Sequence, residues 1–185
     1  TKSQCEELHE RGFLIIRGLL PQEALQPLTD DLAAAVEQAI EQLVIWKRLD
    51  PAATFPEEPF DRRLAVVAAE LDEDSLSWIW RRLHTKRHKT AGMYTLRTYP
   101  ALLDAVDSVI GPEILAHPQT ILRVKLPEHD PADVPWHQDD EYLGEEIGDT
   151  VILNMWIPLT AARRENGCLE VIAGSHRQSI PHRLK

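Results

Sequence analysis

A chain of 185 residues with a net charge of -10, 43% apolar and 27% charged, has the make-up of one globular domain with a real core. Its acidity argues against a general nucleic-acid binder, which needs a basic footprint, and no apolar run is long enough to span a membrane. Two cysteines far apart, Cys5 and Cys168, argue against a disulfide framework, and Thr1-Lys2-Ser3-Gln4 shows no signal-peptide pattern, so a reducing, cytoplasmic setting is expected.

In chain order, Gly12-Phe13-Leu14-Ile15-Ile16-Arg17-Gly18 is an apolar run between glycines and predicts a buried strand. Pro21 suits a first helical turn, with Glu23 at the positive end of the helix dipole. Leu25, Leu28, Leu32, Val36, Ala39 and Leu43 then recur every three or four residues as one apolar helical stripe. Pro27 lies early enough to mark a tightened first turn rather than a break. Residues 50–60 hold Pro51, Pro56 and Pro59 and read as a loop. Helical patterns follow over 61–71 and 75–83, and another over 100–110, opened by Pro100 and closed by Gly111.

Between residues 81 and 103 stand Arg81, Arg82, Lys86, Arg87, Lys89 and Arg97, with His84 and His88 and no acid. Two readings are open: a solvated basic face at a helix end, or a local field that draws an anionic substrate.

After Gly111 the character changes. Residues 121–126, 151–157 and 168–172 are strand-like, each followed by turn chemistry. Helices first and strands afterwards predict an α+β fold whose sheet lies in the second half.

The densest polar chemistry is Trp136-His137-Gln138-Asp139-Asp140-Glu141-Tyr142. On a strand, residues two apart share a face, so His137 and Asp139 aim an imidazole and a carboxylate at one point while Gln138 faces away. That pair is two thirds of the 2-His-1-carboxylate facial triad, which binds iron(II) and keeps open positions for a chelating 2-oxoacid and dioxygen. A lone His-x-Asp is weak evidence on its own.

The context is stronger. His137-Gln138-Asp139, the tryptophan-containing segment 151–160, Asn166-Gly167-Cys168-Leu169 and Gly174-Ser175-His176 occur in that order. With residues 12–20 and Gly111-Pro112-Glu113-Ile114-Leu115, they resemble the phytanoyl-CoA dioxygenase family over nearly all of the chain. The resemblance implies a double-stranded β-helix, a jelly-roll or cupin-like barrel of about eight strands, with N-terminal helices packed on it. It implies one oxygenase domain over 1–185 that hydroxylates a small organic substrate and releases succinate and CO2. Iron(II) is the implied cofactor, 2-oxoglutarate the cosubstrate and ascorbate a reductant.

By the same resemblance His137 and Asp139 are iron ligands, and Lys125 and Trp156 line the 2-oxoglutarate site. Lys125 is open to two readings: paired with a cosubstrate carboxylate, or on the solvent face of an edge strand. For Trp156 core packing is the expected role, even where the ring also touches the cosubstrate. Asn154 shares a strand face with Trp156 and is expected to donate a hydrogen bond into the pocket. His176 is expected at a structural strand end and His182 in an exposed loop, because the family's second iron histidine comes later. That histidine and the arginine that clamps 2-oxoglutarate lie beyond Lys185, so the barrel is incomplete in this chain. A fragment of a longer enzyme is expected over a truncated homologue, since an open half barrel exposes strand edges. Related halogenases carry a small residue in place of the aspartate, so Asp139 favours hydroxylation. The competing readings are a degenerate, non-catalytic barrel that binds a ligand or partner, and a metal-dependent hydrolase in which the pair holds zinc.

Overall fold

The computed structural model describes residues 1–84, 89–118, 120–127, 129, 135–139 and 151–178. Its α-helices occupy the first 110 residues: α1 Lys2–Arg11, α2 Gln22–Ile45, α3 Phe60–Ala68, α4 Glu73–Leu83, α5 Ala91–Arg97 and α6 Pro100–Ile110. Among the described residues no helix is long and apolar enough to cross a membrane.

The long helix α2 is the spine, and its apolar stripe explains why. Ala39, Ile40 and Leu43 on its C-terminal half pack with Leu49, Val67 of α3, and Ile79 and Leu83 of α4. Leu28 and Leu32 on its N-terminal half pack with Met93 and Leu96 of α5. The helix runs through Pro27, which lies inside it rather than in its first turn. There α5 crosses so closely that a side chain at Gly92 would overlap the backbone of Pro27 and Leu28. The Gly92 amide donates to Asp31 Oδ2 at 2.7 Å, placing a carboxylate at the positive end of α5. The α4 N-terminus is capped by Asp72, whose Oδ1 accepts from the Ser75 amide at 2.7 Å.

Two extended segments lie on this helical base. Along residues 121–126, Leu122, Val124 and Leu126 turn inward while Ile121, Arg123 and Lys125 are exposed. Leu122 packs on the cluster around Leu28 and Val124 on the cluster around Ile40. The Trp80 indole fixes the register by donating to the Val124 carbonyl at 3.2 Å. Ile157 and Leu159 pack on the Leu28 cluster as well. The pairing described here is an isolated antiparallel bridge between Leu126 and His129; among the described residues no strand ladder is formed.

The run from Gly12 to Gly18 differs from expectation. Gly12 adopts φ 77° as the left-handed cap of α1, and Ile15 is 67% exposed, so this stretch is not a buried strand. Both glycines are used for turns, and the four residues 13–16 between them have no strand beside them among the described residues. Helices α1 and α5 were not expected from the apolar pattern.

Candidate metal centre

His137 and Asp139 converge, although the strand expected there is not formed: residues 135–138 carry no strand and Asp139 lies in a 3-10 turn. The ring Nε2 of His137 lies 3.1 Å from Asp139 Oδ1, and its Nδ1 lies 2.9 Å from the carbonyl of Pro135. A carbonyl oxygen can only accept, so Nδ1 carries the hydrogen and a neutral ring turns its Nε2 lone pair toward the carboxylate. Two acceptors facing each other at that distance repel unless a positive charge lies between them. A second ring proton or a bound cation supplies it. For metal–ligand bonds of about 2.1 Å, neighbouring ligands of an octahedron stand about 3.0 Å apart. The observed separation therefore suits one metal ion, and the Nδ1–carbonyl bond is the usual way a ligating histidine is oriented.

The other carboxylate oxygen is engaged independently: Asn154 Nδ2 donates to Asp139 Oδ2 at 2.6 Å. Asn154 was expected to donate into the pocket, and the structure gives it the Asp139 carboxylate as partner. Both side chains remain reachable, that of His137 25% and that of Asp139 51% exposed. Among the described residues, no third His, Cys, Asp or Glu completes a metal-binding group.

Gln138 has other partners than its two neighbours. Its Nε2 donates to the carbonyls of Ser175 and Gln178, both at 2.9 Å. This anchoring was not legible in the sequence, since its partners lie 37 and 40 residues away.

The remaining predicted residues are placed as follows. Lys125 is exposed beside the turn glycine Gly167, where a side-chain carbon would lie 3.4 Å from the lysine stem. Trp156, expected to pack in the core, is instead 46% exposed, on the segment that carries Asn154. His176 donates from Nε2 to the carbonyl of His9 at 3.0 Å, a structural role. Of the basic stretch, Arg81 and Arg82 end α4 and Arg97 ends α5, where cations meet the negative end of the helix dipole. His84 stacks on Trp80 with ring centroids 4.3 Å apart. Lys86, Arg87, His88 and His182 lie outside the described residues.

Comparison with known proteins is decisive for the lineage. The family model for phytanoyl-CoA dioxygenase (PhyH) matches residues 8–185. The chain belongs to the phytanoyl-CoA dioxygenase family. It is 24% identical over 185 residues to the human (Homo sapiens) peroxisomal phytanoyl-CoA dioxygenase, covering 98% of this chain and 49% of the relative. It is 27% identical to phytanoyl-CoA dioxygenase domain-containing protein 1 of Bos taurus, covering 100% of this chain and 68% of that protein. The bovine peroxisomal phytanoyl-CoA dioxygenase is 23% identical, with 94% and 47% covered. The chain thus spans about half the length of both peroxisomal relatives in this phytanoyl-CoA dioxygenase family. No solved structure matches it significantly.

Proposed function

We propose that this chain carries the His-x-Asp half of the active site of an iron(II)- and 2-oxoglutarate-dependent dioxygenase that hydroxylates a small, anionic organic substrate. The observation that carries the reading is His137 Nε2 facing Asp139 Oδ1 at 3.1 Å, with Nδ1 and Oδ2 each held by a separate partner. Family membership over residues 8–185 supports the same chemistry. The jelly-roll barrel belongs to this proposal, and the inward–outward alternation along residues 121–126 supports it.

When bound, iron(II) would let dioxygen act as the oxidant and 2-oxoglutarate as the two-electron co-reductant, one oxygen atom entering the unactivated carbon and the other succinate, with release of CO2. The chain's own residues do the holding. His137 offers one nitrogen, kept in the right tautomer by the Pro135 carbonyl. Asp139 offers one oxygen and is kept from rotating by Asn154. As a carboxylate it fills the position that a halide would need, which favours hydroxylation over halogenation. Lys125, an exposed ammonium opposite the helical base, is assigned to a cosubstrate carboxylate, and Trp156 to the wall beside Asn154.

Succinate release from 2-oxoglutarate tests the proposal, measured on the full-length protein under air with iron(II) and ascorbate. The substrate panel should include acyl thioesters, amino acids and other organic acids. Substrate-dependent succinate is expected, falling at least about 100-fold in His137→Ala and Asp139→Ala. Turnover that survives both substitutions would remove the assignment.

A further inference from the structure

We propose that the turn at residues 174–178 is a positioning device for the metal ligands. It joins the C-terminal end of α1 on one side to Gln138 on the other. The inference rests on the metal-centre reading above and adds residues to it that contact neither metal nor substrate.

The last carbonyls of a helix have no partner within it, and they lie at the negative end of its dipole. In α1 three of these carbonyls are taken by the turn. His9 accepts from His176 Nε2 at 3.0 Å, Glu10 from Arg177 Nη2 at 2.7 Å, and Arg11 from the Gly174 amide at 2.8 Å. Gly174 needs its left-handed φ of 79° to start the 3-10 turn Ser175–Arg177. Gly12 leaves room for the imidazole of His176, which a side chain there would overlap.

The same turn presents the carbonyls of Ser175 and Gln178 to the opposite side, and Gln138 donates to both. Gln138 stands between the two ligands in sequence, so its backbone cannot rotate without breaking this fork or moving His137 and Asp139 together. Helix α1 contributes no buried residue, so its docking is not a matter of core packing. Its carbonyls hold the turn, the turn holds Gln138, and Gln138 holds the backbone that separates the ligands. His176 and Gln138 are therefore positioning residues, acting on metal binding from outside the coordination shell.

The test uses the full-length protein, with Mn(II) as a redox-stable probe. Its Kd is measured by the electron paramagnetic resonance of free Mn(II), and thermal unfolding is followed on the same samples. Gln138→Met is expected to weaken Mn(II) about 10–100-fold, the usual effect of removing support behind a ligand. His176→Phe should act in the same direction. His176→Gln, which keeps a donor at similar reach, should restore affinity. The Gln138→Met/His176→Phe double variant should be no worse than the weaker single variant, as for parts of one device. If both single variants bind Mn(II) like the parent, whatever their Tm, the proposal is overturned; so too if their losses add. Should His176→Phe fail to fold, the partly exposed Gln138→Met decides alone. A parent that binds no Mn(II), or binding that survives His137→Ala, would instead overturn the metal-centre reading beneath it.

Discussion

Asp139 divides its two oxygens between different partners, Oδ1 toward His137 and Oδ2 on the Asn154 amide. A carboxylate held at one oxygen presents the other at a fixed angle, and loss of the holding donor lets it swing toward solvent. Asn154→Ala is therefore expected to weaken Mn(II) binding about 10-fold or more with little change in unfolding midpoint, because Asn154 is itself exposed. An isothermal titration on the parent and the variant checks this; equal affinities would show that the 2.6 Å bond does not orient the ligand. The convergence of His137 and Asp139 was legible because residues two apart are close in any local conformation, although the strand expected there is not formed. The partners of Gln138 between them were not, since a sequence pattern carries no information on which distant carbonyl a glutamine meets. Asn154 falls between the two cases: alternation gave the direction of its side chain and tertiary packing chose Asp139.

Helix α4 begins at Asp72, and the hydrogen bond from the Ser75 backbone amide holds its carboxyl below the usual aspartate value of 3.8, with the Arg48 charge acting in the same sense. A folded-state value below the unfolded one means that the cap's contribution is fully present above the unfolded value and is lost as pH falls through the folded one. Urea midpoints for the parent and Asp72→Ala should thus differ most at neutral pH and converge on acidification, at pH values below the usual 3.8. A difference that grows on acidification would contradict the assignment. At the crossing of α2 and α5, Gly92→Ala should cost about 1–3 kcal/mol, since the neighbours that must yield are the backbone of Pro27 and Leu28. The helix-propensity gain of roughly 0.5–1 kcal/mol is too small to offset it, and chemical denaturation measures the balance. Helices α2, α3, α4 and α6 were legible in the apolar period because each buries a stripe. Helix α1 was not, having no buried residue, although Thr1 and Gln4 form a capping box and Gly12 a left-handed cap that together mark its ends. Helix α5 has seven residues, too few for periodicity to register, and its start is marked by the Thr90 cap.

The protein as a whole is acidic, yet its 81–103 stretch is basic and free of acid. If this stretch draws an anionic substrate, kcat/KM should fall as salt rises from about 0.05 to 0.5 M, while a neutral analogue is unaffected. A salt-independent ratio would leave these residues the simpler task of closing helix dipoles, as Arg81, Arg82 and Arg97 do.

On the proposed reading, metal binding and folding are linked through His137 and Asp139. In the unfolded chain His137 and Asp139 remain close in sequence, but the Pro135 carbonyl and Asn154 no longer fix them, so the cation favours the native state. A ligand that binds only the native state at 100 times its Kd adds about 2.7 kcal/mol to unfolding, and residual binding to the unfolded chain lowers that figure. Urea unfolding of the full-length protein should accordingly shift upward with Mn(II) and return to its starting midpoint with excess EDTA. Asp139→Ala should start near the parent's metal-free midpoint, because an exposed carboxylate facing a lone pair does little for stability without a cation, and should gain little from Mn(II). A full gain in Asp139→Ala would place the ion elsewhere in the protein. A gain absent from the parent would mean that His137 and Asp139 are joined by a proton and not by a metal.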